Sequence, residues 1–242
     1  MKFMSALIIA ACLVAGTATA KTVTIANGND YAPFSDESLK KGGMASHLVE
    51  EAFKAAGWKV TYDWLPWKRG FEMAKKGDID AAIPWTRRQD RVPHFLFSDP
   101  LVVLKEEVWA LSDSKIKTYD DLKGKTGCIP IGYSVRDDQK ALFESGGAKK
   151  DTPKDMTTCF KKLVAKRVDF IFVNNLQAAS IANTALKDKN SVRAVIPGDG
   201  QTELHILVGK SHPNGPEIIA AFNKGLAALK ANGDYEKIIA SH

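Results

Sequence analysis

AKKGDIDAAIPW (residues 74–85) and AKRVDFIFVNN (residues 165–175) pass through the same steps 91 positions apart. Each leaves a basic helix end, crosses an Asp, enters an apolar strand and emerges into polar or aromatic residues. A helix–strand unit given twice predicts two lobes, each with its own sheet. In open α/β sheets ligands sit beyond the carboxyl ends of the strands. That rule nominates Trp85 and Thr86 from the first unit and Asn174 and Asn175 from the second, all on one cleft if the lobes face each other.

Working outward, TVTIA (22–26), IDAAI (79–83), KTGCI (125–129), DFIFV (169–173), VRAVI (192–196) and HILV (205–208) read as strands. Most are continuous apolar runs, as expected for strands covered on both faces. KVTYDW (59–64) instead alternates, with Val60, Tyr62 and Trp64 on one face. Between them lie helical patterns. Leu48, Val49, Ala52, Phe53 and Ala56 share a stripe in 44–56, which Gly57 stops. Residues 216–231 start at Pro216, end at Asn232-Gly233, and carry Ile218, Ile219, Phe222, Leu226 and Leu229 on the apolar side. The alternation specifies an α/β fold with mostly parallel sheets flanked by helices. LVVLKEEVWALS (101–112) is extended and leads from the first unit to the second, and HILVGK (205–210) returns the chain. Two such crossings make a hinge. The expected division is a signal peptide at 1–20, a discontinuous first lobe at 21–109 plus 200–242, and a second lobe at 110–199.

The compartment follows from the first 21 residues, MKFMSALIIAACLVAGTATAK. Lys2 gives a basic start, residues 3 to 16 are almost wholly apolar, and Ala18-Thr19-Ala20 is a small-x-small cleavage site. This is the three-part pattern of a secretory signal. Ile9-Ala10-Ala11-Cys12 loosely resembles a lipoprotein box, but the apolar stretch continues past Cys12 to the better site, which favours a cleaved, exported chain. Cleavage leaves 222 of the 242 residues and, with Lys2 gone, takes the formal net charge from +6 to +5. That mild excess is spread along the chain without a block of like charges, so nothing argues for a nucleic-acid partner. At 45% hydrophobic and 26% charged, the composition is that of a folded globular protein.

Two cysteines remain after cleavage, Cys128 and Cys159. In an oxidising compartment an even, minimal count favours one disulfide, the alternative being a pair of buried thiols. The five histidines show no metal spacing, and there is neither a nucleophile elbow nor a phosphate-binding glycine loop. No cofactor or metal is expected.

Gly132-Tyr133-Ser134 follows the strand near Ile129, and VRDDQKALF starts a helix. Ser134 with Asp137 fits a capping box, with Asp in place of Glu or Gln. The turn reads equally as a plain helix cap or as an anion site at a helix N-terminus. An anion there would suit an arginine from the other lobe, because a guanidinium meets a carboxylate through two parallel hydrogen bonds. WTRRQDRVPHFLFSDP (85–100) offers Arg87, Arg88 and Arg91, each of which is either solvated surface charge or turned inward. Tyr31 in NDYAPF and Trp67 in WLPWKR stand at element ends, as core or as ligand contacts.

The chain resembles the bacterial extracellular solute-binding proteins of family 3, the polar amino acid branch of ABC importers. NDYAPF, GGMASHLVEEAFKAAG, KKGDIDAAI, RVPHFLFSDP, DLKGKTGCIPIGYS, LVAKRVDFIFVNN and FNKGLAALKANGDYEKI occur in the family's order. The resemblance implies the two-lobe fold of type II periplasmic binding proteins, joined by a two-strand hinge. It implies that Arg91 grips the ligand carboxylate, that Ser134 helps hold it, and that Tyr31 and Trp67 flank the ligand. Trp85 and Thr86 fall where the family offers backbone and hydroxyl contacts, and Arg88 where many members carry Thr or Ser. Asn174 stands in place of the acid that usually pairs with the ligand's ammonium. A neutral amide there suggests a ligand whose second polar group is uncharged, or an amine neutralised elsewhere. The first-lobe GGMAS, PWKR and the cysteine pair resemble a divergent branch.

The leading expectation is therefore a monomeric, non-enzymatic periplasmic protein that closes on a small carboxylate-bearing solute, an amino acid or related organic acid, and delivers it to the membrane permease of an ABC importer. The alternative is a periplasmic enzyme on the same fold, similar to a cyclohexadienyl dehydratase, which would need an acid in the cleft.

Overall fold

The computed structural model describes residues 20–133, 135–198 and 201–242. The predicted signal peptide lies almost wholly outside them, as does Ser134.

The first unit is β1 (Thr22–Asn27), α1 (Met44–Ala55), β2 (Lys59–Trp64), α2 (Trp67–Lys76), β3 (Ala81–Thr86) and the short β4 (Phe95–Phe97). The stripe read from 44–56 is the buried face of α1, where Leu48, Val49, Ala52 and Phe53 have no exposed surface. β1 pairs in parallel with β2 on one side and β3 on the other. β2 is an edge strand, and its alternating half-exposure follows from having one covered face.

The chain then enters β5 (Val102–Leu111) and builds a second unit. This consists of β6 (Thr126–Cys128), α3 (Asp137–Glu144), β7 (Lys149–Asp151), α4 (Met156–Val164), β8 (Phe170–Asn174), α5 (Asn175–Ala185) and β9 (Val192–Ile196). β6 pairs in parallel with both β7 and β8. β10 (Gln201–Gly209) goes back to the first unit, and α6 (Gly215–Asn232) and α7 (Asp234–Ala240) close its helical layer. Within each lobe the strands joined through helices are parallel. The antiparallel pairings all involve the long strands β5 and β10.

Each lobe has its own core, as two sheets with helices on their faces require. In the first, Val23, Ile25, Phe53, Ile83, Ile206 and Phe222 are fully buried together. In the second, β8 has one face on Phe160, Leu163 and Ile181 through Ile171 and Val173, and the other on Leu122 and Ile129 through Phe170 and Phe172. Apolar residues on both faces of one strand explain why DFIFV reads as a continuous run.

The hinge lies in β5. Val102 to Lys105 pair with β10, whereas Glu106 to Trp109 pair with β8 and Val108 to Leu111 with β9. The partner changes between Lys105 and Glu106. Gly198, in the return segment, lies so close to this point that a Cβ on it would stand 2.3 Å from the Glu106 carbonyl oxygen. The two crossings therefore touch at Glu106.

The capping box expected at Ser134 falls on a residue outside those described, and the described helix start lies elsewhere. α3 begins at Asp137 and its N-cap is Arg136, whose backbone N–H donates to Gln139 Oε1 at 3.1 Å. Gln139 reaches back in the manner of the Glu or Gln of a capping box, which moves the helix start two residues beyond Ser134. The turn at Gly132-Tyr133 is thus separate from the helix end.

Cys128 and Cys159 are bonded, tying the end of β6 to α4, and both are fully buried. The bridge closes a separation of 31 residues, which stabilises the folded state by about 3–4 kcal/mol in the chain-entropy model. Replacing both cysteines by serine should lower the unfolding free energy in urea by roughly that amount, plus the cost of burying two hydroxyls. A loss under about 1 kcal/mol would mean that the bridge does not constrain the unfolded chain.

Candidate functional site

Where the two sheets meet, a cavity of about 120 Å³ is lined by Tyr31, Trp67, Trp85, Thr86, Arg91 and Leu204 from the first lobe. Glu106 enters from β5, and Gly132, Tyr133, Met156, Phe172, Asn174 and Gln177 from the second lobe. Trp85 and Thr86 end β3, and Asn174 ends β8, so the strand-end rule locates both walls. Asn175 does not join them; its side-chain oxygen accepts from Lys105 N–H at 3.1 Å, beside the hinge.

Arg91 is 7% exposed. Nη1 donates to the carbonyl oxygen of Thr86 at 2.7 Å and to its hydroxyl at 2.8 Å. The guanidinium lies 4.9 Å over the Trp85 ring and 5.7 Å from that of Phe71, within cation–π range. Burial, with Arg88 nearby, lowers its pKa to about 10, so it remains charged at neutral pH. A buried guanidinium held in orientation by Thr86 has the chemistry to meet an anion through charge-assisted hydrogen bonds.

The other two arginines go elsewhere. Arg87 is exposed and lies over Phe97. Arg88 does not line the cavity; it ion-pairs with Asp90 and donates to the Val135 carbonyl oxygen of the second lobe at 2.8 Å. It fastens one lobe to the other.

The aromatic wall is built from the first lobe. Trp67 stands edge-on to Tyr31 and Trp85, and its indole N–H donates to the Asn29 carbonyl oxygen at 2.9 Å. Gly28 makes room for it, since a Cβ there would fall 2.4 Å from the ring. Beneath Tyr31, the buried Asn27 side chain bonds Ser46 and Ser35, and Ser35 also reaches the Gly28 carbonyl oxygen. That network fixes the loop carrying Tyr31.

Among the polar lining residues, three were not read as site residues from the sequence: Tyr133, Gln177 and Glu106. The Tyr133 hydroxyl donates to the Asp30 carbonyl oxygen across the cleft at 3.0 Å and accepts from Gln177 Nε2 at 3.1 Å. Its flanking residues Gly132 and Ser134 drew attention as a turn, and the ring between them carried the same signal. Gln177 is one helical turn beyond Asn174, so the strand-end rule extended by three residues reaches it. Glu106 sits in Lys105-Glu106-Glu107, which reads as exposed charge.

Glu106 changes the meaning of Asn174. The two are Cα partners in the β5–β8 ladder, so the cavity has a carboxyl group although β8 supplies none. Asn174, 3% exposed, uses Oδ1 to accept from Gln177 N–H at 2.9 Å and so caps α5. Burial holds the Glu106 carboxyl up at about 7, against an ordinary value of 4.5; Arg136 opposes the shift and Glu107 adds to it. Burial, with Glu106 adding, also raises the Tyr31 phenol.

Two outcomes follow without any ligand. Asn174→Ala should lower stability in urea by about 1 kcal/mol through loss of the cap, while Asn174→Asp, itself a good cap, should keep most of it. Equal losses would show that capping is not what residue 174 does. The raised Glu106 pKa means that the folded state holds a proton that the unfolded state releases between about pH 4.5 and 7. Stability from this group is therefore present at low pH and lost as pH rises through that window. The difference in unfolding free energy between Glu106→Gln and the parent should grow across it; a flat difference would contradict the assignment.

The match to known proteins is broad. The family model described as bacterial extracellular solute-binding proteins, family 3, matches residues 23–242. The arginine-binding extracellular protein ArtP of Bacillus subtilis (strain 168) is 22% identical over 223 residues, covering 90% of this chain and 84% of that protein. The lysine/arginine/ornithine-binding periplasmic protein of Escherichia coli (strain K12) is 27% identical over 255 residues, covering 96% and 94%. The solved structure of an ancestral arginine-binding protein bound to arginine has a TM-score of 0.77 at 24% identity, covering 91% of this chain and 97% of that one. With a matching model over nearly its whole length and the same two-lobed fold, the chain belongs to the bacterial extracellular solute-binding proteins of family 3.

Proposed function

We propose that the mature protein is periplasmic, cleaved after Ala20, and captures a small amino acid between its lobes for delivery to the membrane permease of an ABC importer. The observation that carries this reading is Arg91, a buried cation in an interlobe cavity with its orientation fixed by Thr86. A solute carboxylate on this guanidinium would form charge-assisted bonds away from water, where they are strongest. Tyr31, Trp67, Trp85 and Tyr133 would cover its apolar part. The related proteins described as binding arginine and lysine/arginine/ornithine support an amino acid as ligand.

Closure is the delivery signal in this account. Arg88 to Val135 and Tyr133 to Asp30 join the lobes directly, so a ligand need only favour the closed form over the open one to shift the population. The protein acts as a monomer, without a cofactor. One observation favours the enzyme alternative, namely Glu106 as the acid that a cyclohexadienyl dehydratase would require. Product formation from cyclohexadienyl acids would decide for it.

A thermal-shift screen of amino acids, oxo acids and dicarboxylates should identify a stabilising amino acid. With that ligand, Arg91→Ala should weaken binding at least a hundredfold by calorimetry, about 2–5 kcal/mol for a buried charge pair. Arg88→Ala should cost less, through closure alone, and Arg87→Ala almost nothing. Equal losses at 87 and 91 would sink the reading.

A further inference from the structure

We propose that Glu106, on the hinge strand, is the counter-charge for a cationic group of the solute, so that the site selects ligands carrying both charges and releases a proton on capture. This rests on reading Arg91 as the carboxylate clamp. Glu106 and Arg91 line the same cavity, one from the hinge and one from the first lobe. The Glu106 side chain is mostly buried and makes no hydrogen bond or ion pair with another described residue. A buried carboxylate without a partner is costly, and it either takes up a proton or acquires a cation. The neighbouring position on β8 cannot fill the role, because Asn174 is neutral and its oxygen caps α5.

The charged and titratable groups around Glu106 leave the proton as its resident partner. Arg136 attracts the carboxylate but is itself bonded to Asp138 at 2.6 Å, and Glu107 repels it. Tyr31, which interacts with it, and Tyr133, on the same cavity, are neutral phenols, since burial raises both, Tyr133 to about 12. Arg91 lies in the same cavity, with Nη1 on Thr86. With the carboxyl near 7 in the empty site, about half the molecules are protonated at neutral pH. A solute ammonium needs the ionised form, so the proton leaves to solvent as the ion pair forms. Affinity should thus be constant well above pH 7 and fall about tenfold per unit well below it.

The test is calorimetry from about pH 5.5 to 8.5 on the parent, Glu106→Gln, Glu106→Asp and Arg91→Ala. The probes are the amino acid that a thermal-shift panel of common L-amino acids selects and the 2-oxo acid of the same side chain. The parent should prefer the amino acid by about a hundredfold, with proton release seen as a buffer-dependent heat. Glu106→Gln should bring the two probes within a few-fold and flatten the pH profile, whereas Glu106→Asp should retain both effects in part. A carboxyl carbon of Glu106 in the empty parent should titrate near 7 by NMR, whatever the variants do. Unchanged preference and pH slope in a folded Glu106→Gln, or a Glu106 carboxyl titrating near 4.5, would overturn the inference and leave the Arg91 reading standing if Arg91→Ala loses binding. Undiminished binding by Arg91→Ala would overturn the Arg91 reading, and a panel in which no amino acid stabilises the protein would overturn both.

Discussion

One strand serves two sheets, and the site depends on that constraint. β5 gives its backbone hydrogen bonds to β10 up to Lys105 and to β8 from Glu106 onward. β5 thus belongs to both sheets, and the cavity lies where they meet, lined from each of them and by Glu106. The side chain at the change is the one held at the junction of both lobes. That side chain is a glutamate.

The remaining features follow from how each lobe feeds this junction. β3 and β8 deliver their carboxyl ends to it, as parallel strands in α/β units do. α5 starts directly after β8, so Asn174 ends a strand, caps a helix and lines the cavity at once. The first lobe contributes a fixed cation and an aromatic wall, braced by the Asn27–Ser35–Ser46 network and by the packing of Trp67 on Gly28. The second contributes Tyr133 and Gln177, which bond each other, and Tyr133 also reaches back across the cleft. A buried guanidinium and a mostly buried carboxyl group thus line one small volume between the two lobes.

The elements were legible where periodicity and punctuation agreed. The stripe before Gly57 became α1, VRAVI became β9 with the same bounds, and residues 216–231 lie within α6. Arg91 stood out from Arg87 and Arg88 only through the family resemblance; the structure buries it on the cavity wall, whereas Arg88 lies outside the lining and bonds Asp90 and Val135. Glu106 was illegible for a physical reason. A Lys-Glu-Glu run has the composition of a solvated edge, and only the pairing of β5 with two different sheets turns one of its members inward. The start of α3 was misplaced because Ser134 and Asp137 match a capping box by spacing, while Gln139 provides the cap two residues later. Local pattern locates elements, whereas a site formed by distant strands needs their pairing.

The most direct test of the account is a crystal structure at about pH 8, above the Glu106 transition, with the amino acid that stabilises the protein most. The ligand carboxylate should lie on the Arg91 guanidinium and its ammonium within hydrogen-bond distance of the Glu106 carboxylate. A ligand seated with Glu106 turned away, or with its carboxylate on another cation, would contradict it.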